Sequence, residues 1–299
     1  MEGERGKPVT RVGVVIPVYY GRAYLEKALA SVRQQTAEAL VEILVVEDGT
    51  PEEHRAQDIA TRYDARYLCL PANQGVWVAR WTGAESLGPA DYLAFLDQDD
   101  WWEPTFLERT LADLKSHLTA GFAVTNARIV SPDQPDRLLY PVPPTLKLRD
   151  LKMANQIVSP SQVLLRMAAW QEVKSRLAPD PTISGADDWL LWLALLSKGF
   201  TAVYRAEPLT VYRDHPGGAH HHLTHRDQPL IDTWFPRLGF SPWDQRQVRA
   251  RQRLDALVSG WRQGQKSVHA LLKAVQADPL AWTAAVIWRW KMKQYKRRA

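Results

Sequence analysis

The sequence predicts an α/β fold: a mostly parallel sheet flanked by helices, followed by a helical C-terminal extension. Three observations carry that expectation. Apolar, β-branched runs alternate with segments of helical periodicity through the first hundred residues, as a parallel sheet covered on both faces requires. The connections between them are short. From about residue 225 the pattern becomes helical and increasingly basic, so the expected division is 1–224 for the α/β domain and 225–299 for the extension.

The elements follow in order. "VGVVIPVYY" (12–20) reads as a buried parallel strand, and "AYLEKALASVRQQT" as a helix because Leu25, Leu29 and Val32 recur at i, i+4 and i+7. "EILVVE" (42–47) is a second strand and "PEEHRAQDIATRY" (51–63) a second helix, with Pro and acids in its first turn. "RYLCL" (66–70) is a third strand. In "NQGVWVARWTGAESLG" the residues Trp77, Trp81, Ala84 and Leu87 share a helical face, and "DYLAFL" makes a fourth strand. "TFLERTLADLKSHL" follows as a helix with Phe106, Leu107, Thr110, Leu111, Leu114 and Leu118 inward, then the strand "GFAVTN". Five prolines in "SPDQPDRLLYPVPPT" (131–145) argue for a surface loop without a regular element. "SQVLLR" reads as a strand, "GADDWLLWLALLSKGF" as a strongly apolar helix, and "TAVYRAEPLTVYRDH" as two strands parted by Pro208.

Charge is unevenly distributed. Residues 241–299 hold 13 Lys and Arg against 3 Asp and Glu, while the rest of the chain holds 25 against 30. A basic tail on a mildly acidic body suggests that the tail meets an anionic surface. Its end, "DPLAWTAAVIWRWKMKQYKRRA", reads as a helix begun by Pro279, with six basic residues from Arg289 onward and no acid. That composition suits an interfacial helix on anionic lipid, or equally a helix packed on the domain with a solvated basic end. No nucleic-acid-binding module is recognisable, so no nucleic-acid partner is expected. Cys69 is the only cysteine and lies in an apolar run, which predicts a buried thiol in a reducing compartment. Neither an export segment nor a spanning helix is expected. Thirteen tryptophans exceed ordinary usage and suit interfaces or sugar-stacking surfaces as well as cores.

Ligands of open α/β sheets bind beyond the carboxyl ends of the strands. Two acidic features are predicted there. Asp48 in "LVVEDGT" closes the second strand. Asp97 and Asp99 in "YLAFLDQDDWWEP" close the fourth, and a period of two directs both to one side and Asp100 away. The pair is a partial shell for Mg²⁺ or Mn²⁺, or a cap for the following helix. Asp187 and Asp188, heading the most apolar helix, fit an N-cap or a general base. Trp101 and Trp102 fit core plugs or a wall for a sugar or acceptor. Five histidines fall between 215 and 225; His221 and His225 have a weak zinc spacing, and solvated loop residues fit as well.

Taken in order, "VVIPVYY", "VVEDGT", "NQGVWVARWTGAESLGPADYLAFLDQDDWWEP", "GADDWLLWLALLSKGF" and "VYRDHPGG" resemble the motifs of glycosyltransferase family 2, from about Val12 to His215. The resemblance implies a GT-A catalytic domain and inverting transfer of a sugar from a nucleotide-diphosphate sugar, UDP-linked by preference, to a hydroxyl of a glycan or lipid-linked acceptor. Bacterial envelope polysaccharide, O-antigen or glycoconjugate assembly is the implied setting, cytoplasmic or peripheral at the inner face of the plasma membrane. It implies that Pro17 and Tyr19 border the base and Asp48 hydrogen-bonds it, and that Arg80 lies near the donor phosphates. Asp97 would contact the ribose or a metal-bound water, Asp99 would ligate Mn²⁺ or Mg²⁺ with His215 completing the shell, and Asp188, with Asp187 beside it, would be the catalytic base. Glu47, Tyr20 and Trp81 depart from the family's usual residues. Two other readings are a non-catalytic sugar-nucleotide or glycan binder, which should lack one of the carboxylates, and a sugar nucleotidyltransferase, which should have a Gly- and Lys-rich N-terminal loop.

Overall fold

The computed structural model describes residues 9–179, 186–215, 230–262 and 268–298. The first half alternates as expected: β1 (Arg11–Val18), α1 (Arg22–Arg33), β2 (Leu40–Glu47), α2 (Gln57–Arg62), β3 (Arg66–Cys69), α3 (Val76–Ser86) and β4 (Tyr92–Phe95). Then come β5 (Trp101–Trp102), α4 (Phe106–Ser116), β6 (Ala120–Ser131), β7 (Gln134–Leu138), α5 (Leu148–Met153), β8 (Val163–Arg166), α6 (Met167–Lys174), α7 (Asp187–Ser197) and β9 (Thr201–Arg213). The extension holds α8 (Pro242–Arg262), α9 (Val268–Ala277) and α10 (Pro279–Arg298).

The strands form one sheet in the order β3-β2-β1-β4-β8-β6-β9-β5, with β7 paired to β6. β3, β2, β1 and β4 are parallel, and β8 lies antiparallel between β4 and β6. After β3 the chain returns to the other side of β1 to form β4, so the order reverses there, where open α/β sheets leave a crevice. The loops leaving β1 and β4 meet at that reversal: the Tyr19 amide donates to Gln98 Oε1 at 2.9 Å, and Gln98 Nε2 donates back to the Tyr19 carbonyl at 3.2 Å.

Each face of the sheet has its own core. One packs Leu25 and Leu29 of α1, Ile59 of α2 and Phe106 and Leu111 of α4. The other packs Trp77 of α3, Trp170 of α6 and the whole of α7 from Trp189 to Leu196. α7 is buried all round, which explains its unbroken apolar run. Leu230, Trp234, Phe235 and Val248 join this second core, so the start of the extension is packed into the α/β body. The expected boundary at 224/225, with His221 and His225, lies outside the described residues.

Several local expectations are corrected. The residues from Pro208 on do not form a separate strand: β9 is continuous, and a register shift opposite Asn126 absorbs the proline. β7 is a strand despite Pro135, because it is exposed along its length, where a missing donor costs little, and a register shift against β6 falls between Gln134 and Arg137. The helix expected over 51–63 begins only at Gln57, after a 3₁₀ turn at Glu52–His54. Leu118 is 83% exposed and lies past the end of α4, and Cys69 is only half-buried.

Candidate active site

The turn after β4 departs from strand geometry. β4 ends at Phe95, and the Asp100 amide bonds back to the Asp97 carbonyl at 3.1 Å, so a period of two no longer applies. Asp100 consequently turns inward with the others, against the expectation that it points away. Its Oδ2 accepts from Ser159 Oγ at 3.1 Å, and Asp97 Oδ2 lies 3.4 Å from the same hydroxyl. Burial, then the charges of Asp97 and Asp99, push the Asp100 carboxyl well above its ordinary value. Asp99 is raised by burial and by Asp97, against a 2.9 Å hydrogen bond between its Oδ2 and His215 Nε2.

Arg80 joins the two acidic segments. It projects from α3 and is buried, its Nη2 on Asp97 Oδ1 at 2.5 Å and its Nη1 on Asp187 Oδ2. Burial opposes the charge, but Asp97 and Asp187 outweigh it and hold the guanidinium above its usual value. Arg80, expected near the donor phosphates, acts here as a strut, with both ends of its fork on carboxylates and its buried Nε without a partner among the described residues.

Asp188 is free of that strut. Its Oδ1 accepts from the Trp189 amide at 2.7 Å and its Oδ2 from Asn155 Nδ2 at 3.0 Å. Burial and the neighbouring charge of Asp187 push it up to about 7, with Arg80 pulling the other way. The pair thus divides: Asp187 is 2% exposed and ion-paired, whereas Asp188 is half-buried and poised to exchange a proton near neutrality. α5 supports it from beneath, since the Leu151 carbonyl accepts from Trp189 Nε1 at 2.7 Å.

On the other side of the reversal, Tyr19 and Tyr20 are 45% and 50% exposed, with Tyr20 beside His54 at 5.5 Å between centroids. Tyr20 has φ of 49°, a left-handed conformation costly for a bulky residue and held here by its amide bonding Thr50 Oγ1 at 3.2 Å. Pro17 is buried within β1. Asp48 is 3% exposed and accepts from the Gln74 and Gly75 amides, both at 2.8 Å, so its two oxygens tie the end of β2 to the start of α3. Trp102 turns into the core, stacked on Phe106 at 4.2 Å with its Nε1 on the Ser161 carbonyl at 2.7 Å. Trp101 keeps partial exposure, with Lys27 Nζ 3.3 Å above its ring and the Arg213 guanidinium 5.1 Å away.

The structure thus joins Arg80, Asp97 and Asp187, sets Asp188 next to Asp187 on Asn155 and the Trp189 amide, and pairs Asp99 with His215; Tyr19 is bonded to Gln98 of the β4 turn, and Asp48 ties β2 to α3. Among the described residues, no three His, Cys, Asp or Glu side chains converge as a ready cation site. Sequence reasoning missed Asn155 and Ser159. Ser159 had a signal, the Ser-x-x-Gln spacing to Gln162 that forms a capping box here. Asn155 had none, since its role depends on where α5 delivers it.

The profile of glycosyl transferase family 2 matches residues 13–173. The putative teichuronic acid biosynthesis glycosyltransferase TuaG of Bacillus subtilis is 29% identical over 209 residues, 68% of this chain and 78% of that protein. The UDP-Glc:α-D-GlcNAc-diphosphoundecaprenol β-1,3-glucosyltransferase WfaP of Escherichia coli is 27% identical over 210 residues, 69% and 78% of the respective chains. Residues 1–349 of S. aureus TarS in complex with UDP-GlcNAc superpose with a TM-score of 0.58 at 15% identity, over 82% of this chain and 67% of that one. The corresponding complex with UDP gives 0.59, again at 15%, over 94% and 92%. Likeness at that identity concerns the fold, which is of the GT-A type. With the profile spanning more than half its length, the chain belongs to glycosyl transferase family 2.

Proposed function

We propose that this glycosyltransferase moves a sugar, with inversion, from a UDP-sugar to a hydroxyl of a glycan or lipid-linked acceptor in bacterial envelope polysaccharide, O-antigen or glycoconjugate assembly. The observation that carries the reading is Asp188, raised to about 7 and aimed by Asn155 and the Trp189 amide. TuaG and WfaP by name, and the UDP-GlcNAc and UDP complexes of TarS, support the setting and the donor.

In this mechanism Asp188 takes the proton of the acceptor hydroxyl, whose oxygen attacks the anomeric carbon opposite the nucleoside diphosphate. The new C–O bond forms as the bond to the diphosphate breaks, and one in-line displacement inverts the centre. A positioned base of this kind contributes roughly 10²–10⁴ in rate. Arg80 holds Asp187 and Asp97 in place, so that the base and the β4 turn keep a fixed separation. Tyr19 and Tyr20, with His54, offer exposed aromatic surface for the nucleoside base.

Asp99 and His215 would hold Mn²⁺ or Mg²⁺, with Asp97 contributing through water. The donor chemistry fits: Asp99 Oδ2 and His215 Nε2 stand 2.9 Å apart, and Asp99 and Asp100, raised first by burial and then by neighbouring carboxylate charge, are groups whose ionised form a divalent ion would stabilise. Mg²⁺ commonly takes one or two protein carboxylates and leaves the remaining positions to water and phosphate. When bound, the ion supplies charge neutralisation for the departing diphosphate. Calorimetry with UDP-, GDP- and dTDP-sugars, each with Mn²⁺ and with EDTA, tests donor and metal together. Tightest binding of a UDP-sugar, lost in EDTA and in Asp99→Ala, is expected; metal-independent affinity contradicts the metal assignment, and absence of nucleotide-sugar binding contradicts the whole reading.

A peripheral position on an anionic membrane through residues 279–299 belongs to the same reading. No helix among the described residues is long and apolar enough to cross a membrane. α10 instead buries Ala281, Trp282 and Ala285 against the extension and exposes Leu280, Val286, Ile287 and Trp290, with Lys291 and Lys293 among them. Each such cation near anionic lipid is worth about 1 kcal/mol. Flotation with phosphatidylglycerol vesicles is expected for the parent and lost in Val286→Glu/Trp290→Glu; equal flotation of both counts against the contact.

A further inference from the structure

Glu47, the last residue of β2, has no exposure to solvent and takes no part in the transfer chemistry. A buried carboxylate is costly unless it is hydrogen-bonded, and this one takes three bonds. Its Oε1 accepts from Thr50 Oγ1 at 2.5 Å, and its Oε2 accepts from the Ala56 amide at 3.0 Å and from the Tyr67 hydroxyl at 3.3 Å. Burial, then the charge of Glu47, raise the Tyr67 phenol well above its ordinary value, so it remains a donor. The bonds to Thr50 and Ala56 start two branches that meet again at the surface.

The first branch ends at Tyr20. Thr50 is fully buried, and a hydroxyl can donate once and still accept; with its proton given to Glu47, Thr50 Oγ1 accepts from the Tyr20 amide at 3.2 Å. At its φ of 49° a glycine or asparagine would sit at little cost, whereas a bulky side chain is an outlier. Such a conformer persists only where its surroundings over-determine it. The second branch ends at His54. The Ala56 amide held by Glu47 lies two residues past the 3₁₀ turn Glu52–His54, and Arg55 between them donates its Nε to the Thr50 carbonyl at 3.0 Å. Both branches therefore close on one aromatic surface, since the Tyr20 ring stands 5.5 Å from His54 and 4.8 Å from Tyr19. Rings at those separations are in contact, so they present a single face rather than a slot.

We propose that Glu47 is a positioning residue for the donor: through Thr50 it holds Tyr20 in its left-handed conformer, and through Ala56 it holds the turn that carries His54, so the aromatic face is formed before the nucleoside arrives. This rests on the reading of Tyr19, Tyr20 and His54 as the surface for the nucleoside base. Apparent affinity falls in proportion to the fraction of protein in the competent conformer, so a fall to about a tenth weakens binding about 10-fold. Calorimetry on the full chain with UMP and with inorganic pyrophosphate, each with Mn²⁺, separates the base end of the donor from its phosphate end. Thr50→Val, which keeps the shape and removes the hydroxyl, is expected to weaken UMP about 10-fold and to leave pyrophosphate within about 2-fold. Thr50→Ser, which keeps the hydroxyl, is expected to restore UMP to within about 2-fold of the parent. In a Tyr20→Gly background, where the left-handed backbone needs no support, Thr50→Val is expected to make no further difference. Glu47→Leu frees both walls and is expected to lose at least as much UMP affinity as Thr50→Val. Thermal melts establish which variants are folded, and Thr50→Val decides the matter if Glu47→Leu does not fold. Unchanged UMP affinity in Thr50→Val overturns the proposal, as does an equal loss of UMP and pyrophosphate, which would mark a general loosening of the fold. A further loss from Thr50→Val in Tyr20→Gly overturns the route through Tyr20. A parent that binds pyrophosphate but not UMP sinks the nucleoside reading itself, whereas a parent that binds UMP and a Thr50→Val that binds it equally sink this inference alone.

Discussion

Arg80 holds two carboxylates from segments about 90 residues apart in sequence with one guanidinium, and the planar fork is what makes this possible. Removing it would leave Asp187 buried and unpaired, a loss of about 3–5 kcal/mol. Urea unfolding of Arg80→Ala should show a loss of that size, and Arg80→Lys should recover only part of it, since one ammonium cannot reproduce both contacts. Asp188 behaves oppositely. Its folded value of about 7 lies above the ordinary carboxyl value, so the folded state holds its proton more tightly; its contribution to stability is full at low pH and is lost as pH rises through about 7. Asp188→Asn should therefore melt higher than the parent at pH 8, with the difference vanishing toward pH 4, and thermal melts across that range check it. The same titration predicts that parent turnover falls as pH drops below about 7. The carboxylates were legible from sequence as strand-end and helix-start acids. Their division of labour was not, because it depends on Arg80 reaching Asp187 and Asn155 reaching Asp188 across the fold.

At the scale of elements, α3 lies close on β1 and β2 because Gly83 has no side chain; a Cβ there would meet Val15 and Val46. Gly83→Val is expected to cost about 1–3 kcal/mol by overpacking, read as a lower denaturation midpoint with an unchanged m-value. Elements with strong periodicity and burial, such as β1, α1, β2, α3, β4 and α4, were readable because a buried strand or amphipathic helix writes its pattern locally. β5 was not readable. Two residues, Trp101 and Trp102, become a strand only because β9 runs alongside. β7 and the continuity of β9 were hidden by prolines, which an edge position and a register shift accommodate.

Across the whole molecule, charge is divided: the acidic body holds the carboxylates around Arg80, and the basic extension presents α10 with one face packed and one exposed. Sequence left membrane contact and packing as rivals for that helix. The structure has the helix packed through Ala281, Trp282 and Ala285, with Leu280, Val286 and Trp290 still outward, so the rivals concern different faces. The fold connects these parts at the C-terminal turn of α5, where Lys152 pairs with Asp244 of the extension, the Leu151 carbonyl accepts from Trp189 and Asn155, just beyond, holds Asp188. The chemistry proposed for this fold depends on Asp188 as the base for glycosyl transfer. Its most direct test is transfer by Asp188→Asn under saturating UDP-sugar and Mn²⁺, with donor affinity measured on the same protein. Donor affinity within about 2-fold of the parent and turnover lower by at least about 10²-fold are expected; near-normal turnover would exclude Asp188 as the base.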